Sequence, residues 1–161
     1  MLEYTLRAGA LGMSRRPRMT YASVVLVLLA LGCGPFMLIP GGELSGGVTM
    51  VPSDWSFTDD IHTVQLESRP SDPYSVNIWA TGVGENLYLH AGTNRANWVE
   101  HIDADPRVRI RIEGKIYELR ATRVEDPLEF KKFADAYDEK YRRRPRNENV
   151  REAYLMRLEP R

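Results

Sequence analysis

Residues 76–112 read VNIWATGVGENLYLHAGTNRANWVEHIDADPRVRIRI, and their apolar pattern is the clearest indication of the fold. Apolar residues occupy every second position over 76–80, 87–89 and 108–112. A period of two is typical of β-strands that bury one face. The first two strands are joined by Gly82–Asn86, a glycine-containing connection of hairpin length. The stretch therefore predicts a sheet.

The sequence on either side adds three more strands. Val64 and Leu66 alternate with polar residues before the stretch. After it, Glu113-Gly114-Lys115 turns the chain into a strand over 116–124, and a last strand fits 153–158. Six short strands predict a small barrel, because a closed sheet has no exposed edge.

Two helices are predicted between the strands. The first spans 94–104, where Trp98 and Ile102 lie one turn apart and Pro106 ends the helix. The second begins after Asp126, which is followed by a proline at the first helical position. Its buried face has helical spacing and comprises Phe130, Phe133, Ala134, Tyr137 and Tyr141.

These elements, in this order, resemble the split β-barrel flavin-binding family, which includes pyridoxamine 5′-phosphate oxidase. Within it, Ala96-Asn97-Trp98 followed by residues 101–108, HIDADPRV, is most similar to the deazaflavin-dependent nitroreductase branch. The resemblance covers residues 58–159. It implies a mainly β fold with two helices, a split β-barrel of the FMN-binding type, and a homodimer with the cofactor at the subunit seam.

The loop over 90–95, HAGTNR, is the predicted phosphate site of such a cofactor. It follows a strand, is small and polar, and enters a helix N-terminus, where backbone amides bind anions. Its candidate binding residues are Gly92, Thr93, Asn94 and Arg95. The alternative is a turn between strand and helix, capped by Thr93 or Asn94, that binds nothing.

Three further residues are candidates for contact with the cofactor ring. Asn77 and Trp79 lie opposite the apolar face of their strand, and the resemblance implies that they touch the flavin or its analogue. Trp98 is the third candidate. Ordinary packing of the two indole rings is the alternative, and the spacing of Trp98 to Ile102 already accounts for it.

Two groups of arginines have several interpretations. Arg107, Arg109 and Arg111 form a stripe on one strand face, as a solvated outer face or a phosphate site would. The stripe has Glu118 and Arg120 as neighbours on the next strand. Arginines also cluster after the second helix, facing water, a cofactor phosphate or lipid head groups. These are Arg142, Arg143, Arg144 and Arg146.

The sequence does not determine the identity of the cofactor. The deazaflavin branch usually carries a segment rich in glycine, serine and lysine before the second strand, which holds the phosphate end of the cofactor. Residues 67–74 read ESRPSDPY instead, with two prolines and no glycine or lysine. The candidates are therefore FMN and the deazaflavin coenzyme. Haem has less support from the sequence, and the domain could also bind no cofactor.

Composition excludes several classes of function. The chain has 161 residues, with 22 basic and 22 acidic side chains and a net charge of zero, so no nucleic-acid partner is expected. One cysteine forms neither an internal disulfide nor a thiolate zinc site. The three histidines lack metal-ligand spacing, and no Gly-x-Ser-x-Gly motif is present, so we name no metal site and no catalytic residue.

The N-terminal part predicts a membrane anchor. Residues 19–39 form an uncharged run long enough to span a bilayer, and the basic flank over 1–18 should stay cytoplasmic. A buried core helix is the alternative. Cys33 follows small residues, as in the lipobox of bacterial lipoproteins, so lipidation, an uncleaved signal anchor and a structural cysteine are all open. Residues 40–55 are predicted as a linker and 56–161 as the barrel domain.

Together these features predict a membrane-anchored split β-barrel on the non-cytoplasmic side. Its expected activity is that of a flavin- or deazaflavin-dependent oxidoreductase, resembling nitroreductases or quinone reductases, with a small organic acceptor. The alternative is a non-enzymatic, membrane-anchored module that binds haem, an apolar ligand or a protein partner.

Overall fold

A computed structural model describes residues 39–92 and 96–161. Most of the predicted membrane segment, Cys33 and residues 93–95 lie outside these ranges. No helix formed by the described residues has both the length and the apolar character needed to span a bilayer.

Eight strands and two α-helices lie within the described residues. The strands are β1 (Gly47–Val48), β2 (Val64–Ser68), β3 (Tyr74–Ile78), β4 (Ala80–Val83), β5 (Asn86–Ala91), β6 (Arg107–Ile112), β7 (Lys115–Arg123) and β8 (Tyr154–Pro160). The helices are α1 (Asn97–Ala104) and α2 (Pro127–Tyr141), and a 3-10 turn covers Ser56–Thr58. The predicted class, mainly β with two helices, is confirmed.

The sheet curls because one bent segment supplies both of its ends. The strand order is β3-β2-β6-β7-β8-β5-β4, and the neighbours along it are antiparallel. Strands β3 and β4 lie at opposite ends of this order but are separated in the chain by Trp79 alone. The single strand predicted at 76–80 is therefore two strands with a bend at Trp79.

The inside of the curled sheet is an aliphatic core. Leu66, Leu89, Ile110 and Leu119 are each 0% exposed there. They lie at alternate positions of their strands, so the predicted period of two is confirmed. The hairpin of β6 and β7 is also confirmed; its turn residues Glu113–Gly114 both have positive φ, as a tight hairpin turn requires.

Helix α2 packs on the outside of the sheet. Its predicted cap is confirmed, because the Asp126 side chain accepts a hydrogen bond of 3.0 Å from the amide of Leu128. Phe130, Phe133 and Ala134 are buried in a second apolar cluster. The helix ends at Arg142, which has a left-handed conformation with φ of 54°.

Helix α1 is shorter than predicted. It begins at Asn97 rather than Asn94, because Ala96 is extended with ψ of 126°. Its Trp98 and Ile102 are buried in the barrel core, and Asp105 before Pro106 is extended, so the predicted end is correct.

Residues 40–55 are packed against the barrel and do not form the spacer that their glycine content predicts. Gly41 exchanges two backbone hydrogen bonds of 2.8 Å with Ser75. Leu44 is 1% exposed and Trp55 is 0% exposed. Strand β1 then pairs in parallel with β7. Buried apolar side chains and backbone pairing together fix this segment to the sheet.

An ion pair beneath this segment shows that the strand arginines do not all lie on a solvated outer face, which was one of their two interpretations. The Glu67 side chain is 3% exposed and lies 3.0 Å from an Arg109 guanidinium nitrogen. The Glu67 carboxylate also accepts a hydrogen bond from the backbone amide of Leu44. Arg109 donates a hydrogen bond of 3.1 Å to the backbone carbonyl oxygen of Leu44. Arg109 thus has a structural role, whereas Arg107 pairs with Asp105 at the surface.

Candidate functional site

A cavity of about 240 Å³ lies between α2 and the bend of the sheet at Trp79. It is walled mainly by aromatic and polar side chains, and we call it the aromatic cavity. Its lining residues are Asn77, Ile78, Trp79, Thr81, Tyr88, His90, Phe133 and Tyr137.

Strand geometry explains why polar and aromatic residues reach the outer side of the sheet here. Leu87 and Leu89 of β5 are fully buried in the barrel core, so the alternating Tyr88 and His90 project to the opposite face. Thr81 is the register partner of Tyr88 on β4. The strands therefore present polar groups beneath α2.

Helix α2 supplies the other wall through a stripe of rings one turn apart. Phe133 and Tyr137 have ring centres 5.5 Å apart, and those of Tyr137 and Tyr141 are 4.8 Å apart. Spacing of four residues places all three on one helix face. Phe133 is buried, whereas the two tyrosines are partly exposed, so the stripe runs from the core towards the surface.

Trp79 marks the mouth of the aromatic cavity. Its side chain is 40% exposed at the bend between β3 and β4. Tyr141 stacks on it with ring centres 4.5 Å apart and an angle of 8° between the planes. The guanidinium carbon of Arg143 lies 5.5 Å from the ring centre. Trp79 therefore already has neighbours on its ring, and what remains exposed faces the cavity and solvent.

His90 carries the most unusual polar atom of the cavity. Its Nε2 is buried and has no hydrogen-bond partner. Burial lowers the pKa of His90, and a hydrogen bond to the backbone of Asn147 opposes this shift. The imidazole is thus neutral at pH 7. The other ring nitrogen, Nδ1, carries the proton and donates the hydrogen bond to the backbone of Asn147. Nε2 is therefore a hydrogen-bond acceptor.

The two tyrosines of the cavity differ in their partners. Tyr88 donates a hydrogen bond of 2.9 Å to Glu129, and burial together with this carboxylate raises the pKa of Tyr88. Burial also raises the pKa of Tyr137, whereas the positive charges of Arg143 and Arg146 act to lower it. Tyr88 is therefore part of a fixed network, while Tyr137 lies close to two cations.

A larger cavity of about 760 Å³ lies on the other side of Tyr88, and the guanidinium of Arg157 and the carboxylates of Glu129 and Glu159 in its lining are paired with one another. Arg157 contacts both carboxylate oxygens of Glu129 at 2.8 Å. Glu159 accepts hydrogen bonds from Arg157 and Thr122. Such a network stabilises the sheet and engages these three side chains, whereas Lys132 in the same lining is exposed.

The other two histidines take part in ordinary packing. His101 Nδ1 lies 3.2 Å from the Ser68 hydroxyl, and the His62 carbonyl accepts a hydrogen bond from Tyr141. Across residues 39–92 and 96–161, no three His, Cys, Asp or Glu side chains come close enough together to hold a metal ion.

The residues predicted from the sequence fall in three places. Asn77 and Trp79 both line the aromatic cavity. Gly92 follows β5 at the surface, and a Cβ at this position would lie 4.0 Å from the Arg146 Cβ. Trp98 is 7% exposed, belongs to the barrel core and does not line the cavity. Thr93, Asn94 and Arg95 lie outside the described residues.

Sequence reasoning missed most of the cavity wall. The missed residues are Ile78, Thr81, Tyr88, His90, Phe133 and Tyr137. Two signals for them were present: polar residues at the outward positions of β5, and aromatic residues every fourth position of α2. The pairing of these two faces depends on tertiary packing, which no local pattern reveals.

Solved structures of known proteins share this fold. A conserved hypothetical protein of Mycobacterium tuberculosis is 17% identical, with a TM-score of 0.54 over 65% of this chain and 76% of its own. A candidate 5-nitroimidazole antibiotic resistance protein of Bacteroides thetaiotaomicron is 14% identical, with a TM-score of 0.51 over 64% and 75%. A candidate pyridoxamine 5′-phosphate oxidase of Listeria innocua is 12% identical, with a TM-score of 0.50 over 65% and 88%.

No protein-family description and no curated protein matches the chain. At identities of 12 to 17%, the structural likeness shows the fold alone. The chain has the split β-barrel fold, as the resemblance in its sequence predicts.

The aromatic cavity fits the ring of a flavin better than a whole cofactor. Its volume of about 240 Å³ lies below the range of about 300–1,000 Å³ typical of sites for drug-sized ligands. Its walls are flat and aromatic, and the unpartnered Nε2 of His90 is an acceptor suited to a ring N–H. The phosphate and sugar parts of a cofactor would have to lie outside the cavity, at its mouth.

Proposed function

We propose that the barrel binds a flavin-type cofactor with its ring in the aromatic cavity, and that it transfers hydride or electrons to a small organic acceptor. The observation that carries this proposal is the buried, unpartnered Nε2 of His90 in an aromatic cavity of a split β-barrel. The names of two solved neighbours, a candidate pyridoxamine phosphate oxidase and a candidate nitroimidazole resistance protein, support it.

In this proposal the protein supplies binding and orientation. Trp79 and Tyr137 offer flat surfaces to the ring, His90 Nε2 accepts a hydrogen bond from its polar edge, and Asn77 is a further polar contact. The bound flavin would supply the redox chemistry itself. Helix α2 would cover the ring and exclude water from one side.

FMN is the first cofactor to test and the deazaflavin coenzyme the second. Residues 67–74 stand where the deazaflavin branch holds the phosphate end of its cofactor. Arg69, the one basic residue there, pairs with Asp72 at 2.8 Å and also donates to the Asp72 backbone carbonyl at 2.9 Å. This engagement leaves the segment without an unpaired basic side chain for the phosphate of the deazaflavin coenzyme.

We also propose that residues 19–39 anchor the barrel to a membrane, with the domain on the non-cytoplasmic side, and that the active form is a homodimer. The support for the anchor is the uncharged run after Arg15, Arg16 and Arg18, and the homodimer is what the resemblance to the split β-barrel family implies. Membrane fractionation tests the anchor, and mass spectrometry of the mature N-terminus tests lipidation of Cys33. A soluble product without lipid would contradict the anchor, and a strict monomer in size-exclusion chromatography would contradict the dimer.

A non-enzymatic binding module is the second candidate, and one observation favours it. Tyr141 already covers part of the Trp79 ring at 4.5 Å, as a permanently packed surface would. In that case the cavity would hold a small apolar ligand or the barrel would contact a partner, without redox activity.

The test is the absorbance of the full-length chain purified in a non-absorbing detergent, followed by titration with FMN and with the deazaflavin coenzyme. We expect saturable binding of one of them. Trp79→Leu should weaken it about three- to tenfold, the range that aromatic stacking supports. Phe57→Leu is the matched control, because Phe57 is 44% exposed, Trp79 is 40% exposed, and Phe57 does not line the cavity. A colourless protein that binds neither flavin, or one with a Soret band, would contradict the proposal.

A further inference from the structure

The four arginines that follow α2 do not form one uniform basic patch. Arg144 is paired with two carboxylates, Asp135 at 2.9 Å and Glu148 at 2.7 Å. Pro145, next to it, is buried. These contacts hold the loop in place, so the positions of the arginines on either side are set by the fold.

Arg143 lies at the mouth of the aromatic cavity. Its guanidinium carbon is 5.5 Å from the centre of the Trp79 ring, which lines the cavity. The residue is exposed, and no carboxylate of residues 39–92 or 96–161 lies within 4.0 Å of its guanidinium. An exposed guanidinium on an aromatic ring keeps its hydrogen-bond donors available for an anion.

Arg146 lies beside Gly92, directly after β5. Its Cβ is 4.0 Å from the position that a Cβ at Gly92 would take, and it too has no carboxylate partner within the described ranges. The positive charges of both arginines act to lower the pKa of Tyr137, which lines the cavity. Two unpaired cations therefore stand beside one aromatic wall of the cavity.

Arg142 differs, although it belongs to the same loop. It lines the surface formed with Asp135, Asp138 and Glu139, and it makes no ring contact with Trp79 such as Arg143 makes. Like Arg143 and Arg146, it is an exposed arginine. This makes Arg142 a control within the loop.

We infer that Arg143 and Arg146 bind the anionic group of the ligand whose ring lies in the aromatic cavity. This inference rests on the proposed function. Guanidinium groups bind phosphate, carboxylate and sulfonate oxygens through paired, charge-assisted hydrogen bonds. The site thus selects a planar ring with an anionic substituent, such as the phosphate of FMN or the acid group of an aromatic acceptor.

The experiment compares ligand pairs that differ only in the anionic group. Dissociation constants for FMN and riboflavin, and for 1,4-naphthoquinone-2-sulfonate and 1,4-naphthoquinone, are measured by titration calorimetry of the full-length chain. The variants are R143Q/R146Q, R143K/R146K and the control R142Q. Circular dichroism of each variant checks that the fold is retained.

We expect R143Q/R146Q to weaken the binding of at least one anionic ligand about tenfold or more and to leave its uncharged analogue within about twofold. R143K/R146K should recover part of the loss, and R142Q should behave like the unchanged chain. A loss confined to FMN assigns the pair to the cofactor phosphate. A loss confined to the sulfonate assigns it to the acceptor.

Failure of this inference and failure of the proposed function give different results. If riboflavin and FMN bind but R143Q/R146Q affects them no more than R142Q does, and the quinone pair behaves likewise, the arginine pair is not the anion site. If neither flavin binds but the sulfonate still depends on the two arginines, the anion site stands and the cofactor assignment is wrong. If none of the four ligands binds, both are overturned.

Discussion

The two faces of strand β5 show how one strand serves both fold and function. Leu87 and Leu89 point into a filled aliphatic core and are each 0% exposed. Tyr88 and His90 point to the other face, where α2 leaves a cavity of about 240 Å³. On the inner face the side chains of β5 are aliphatic and fully buried, whereas on the outer face His90 keeps an unpartnered nitrogen next to the cavity. Stability should therefore depend on the inner residues, and ligand binding on the outer ones.

The pair of variants Leu89→Ala and His90→Gln tests the difference between the two faces of β5 most directly. We expect Leu89→Ala to lower the free energy of unfolding by about 2–5 kcal/mol, because it removes methyl groups from a fully buried site. His90→Gln should cost clearly less stability but weaken flavin binding. Urea denaturation of both variants is the measurement. Equal losses of stability would show that the two faces do not differ as described.

The outer face is not open everywhere, and Glu67→Ala tests its closed part. Beneath Leu44, the carboxylate of Glu67 is 3% exposed and pairs with Arg109. Its removal leaves the guanidinium without its buried partner, which should cost about 3 kcal/mol. Thermal unfolding and limited proteolysis near residue 44 report the loss. A change below about 0.5 kcal/mol would indicate that the segment over 41–48 is held by its backbone pairing alone.

Asp126→Ala tests how far the aromatic wall depends on the start of α2. The Asp126 carboxylate accepts a hydrogen bond of 3.0 Å from the Leu128 amide. Loss of this cap should reduce stability by about 1 kcal/mol. Asp126→Asn should retain most of it, since asparagine also caps helices. Equal losses in the two variants would point to charge rather than capping, and urea denaturation separates these outcomes.

The pH dependence of stability tests the burial of His90 and is the smallest effect. Burial holds the pKa of His90 below its ordinary value of 6.5. As the pH falls through 6.5, the unfolded state binds the proton first, so stability is lost between 6.5 and the lower folded pKa. Above pH 6.5 this contribution is fully present. The difference in Tm between the unchanged chain and His90→Gln, measured at pH 7 and pH 5, should narrow or reverse at pH 5. A constant difference would contradict a buried neutral imidazole.

Much of the barrel follows from local patterns. The strict alternation over 107–112 and the Glu113–Gly114 turn predict the hairpin of β6 and β7, and the structure has it at the same place. The cap at Asp126 is likewise local. In each case the information lies within about ten residues of the sequence, where propensity and turn chemistry act.

The site could be predicted only in part, because its walls come from distant parts of the chain. Asn77 and Trp79 can be recognised from the alternation of their own segment. His90 can be recognised as a site residue only once Phe133 is known to lie beside it, with ring centres 5.7 Å apart, although the two residues are far apart in the sequence. The spacing of histidines in the sequence can indicate a metal site, but it cannot predict that a histidine lies against aromatic rings. The packing of residues 40–55 was missed for the same reason, since Leu44 and Trp55 find their partners in other elements.

The imidazole nitrogens of the three histidines offer the most direct test of the aromatic cavity as the ring site. They can be followed by nitrogen-detected NMR of the full-length chain during titration with FMN, with His90→Gln identifying the His90 signals. We expect the Nε2 signal of His90 to shift as it accepts a hydrogen bond from the ring, while His62 and His101 stay unchanged. Saturable FMN binding that leaves His90 unchanged, or that shifts another histidine instead, would contradict the account.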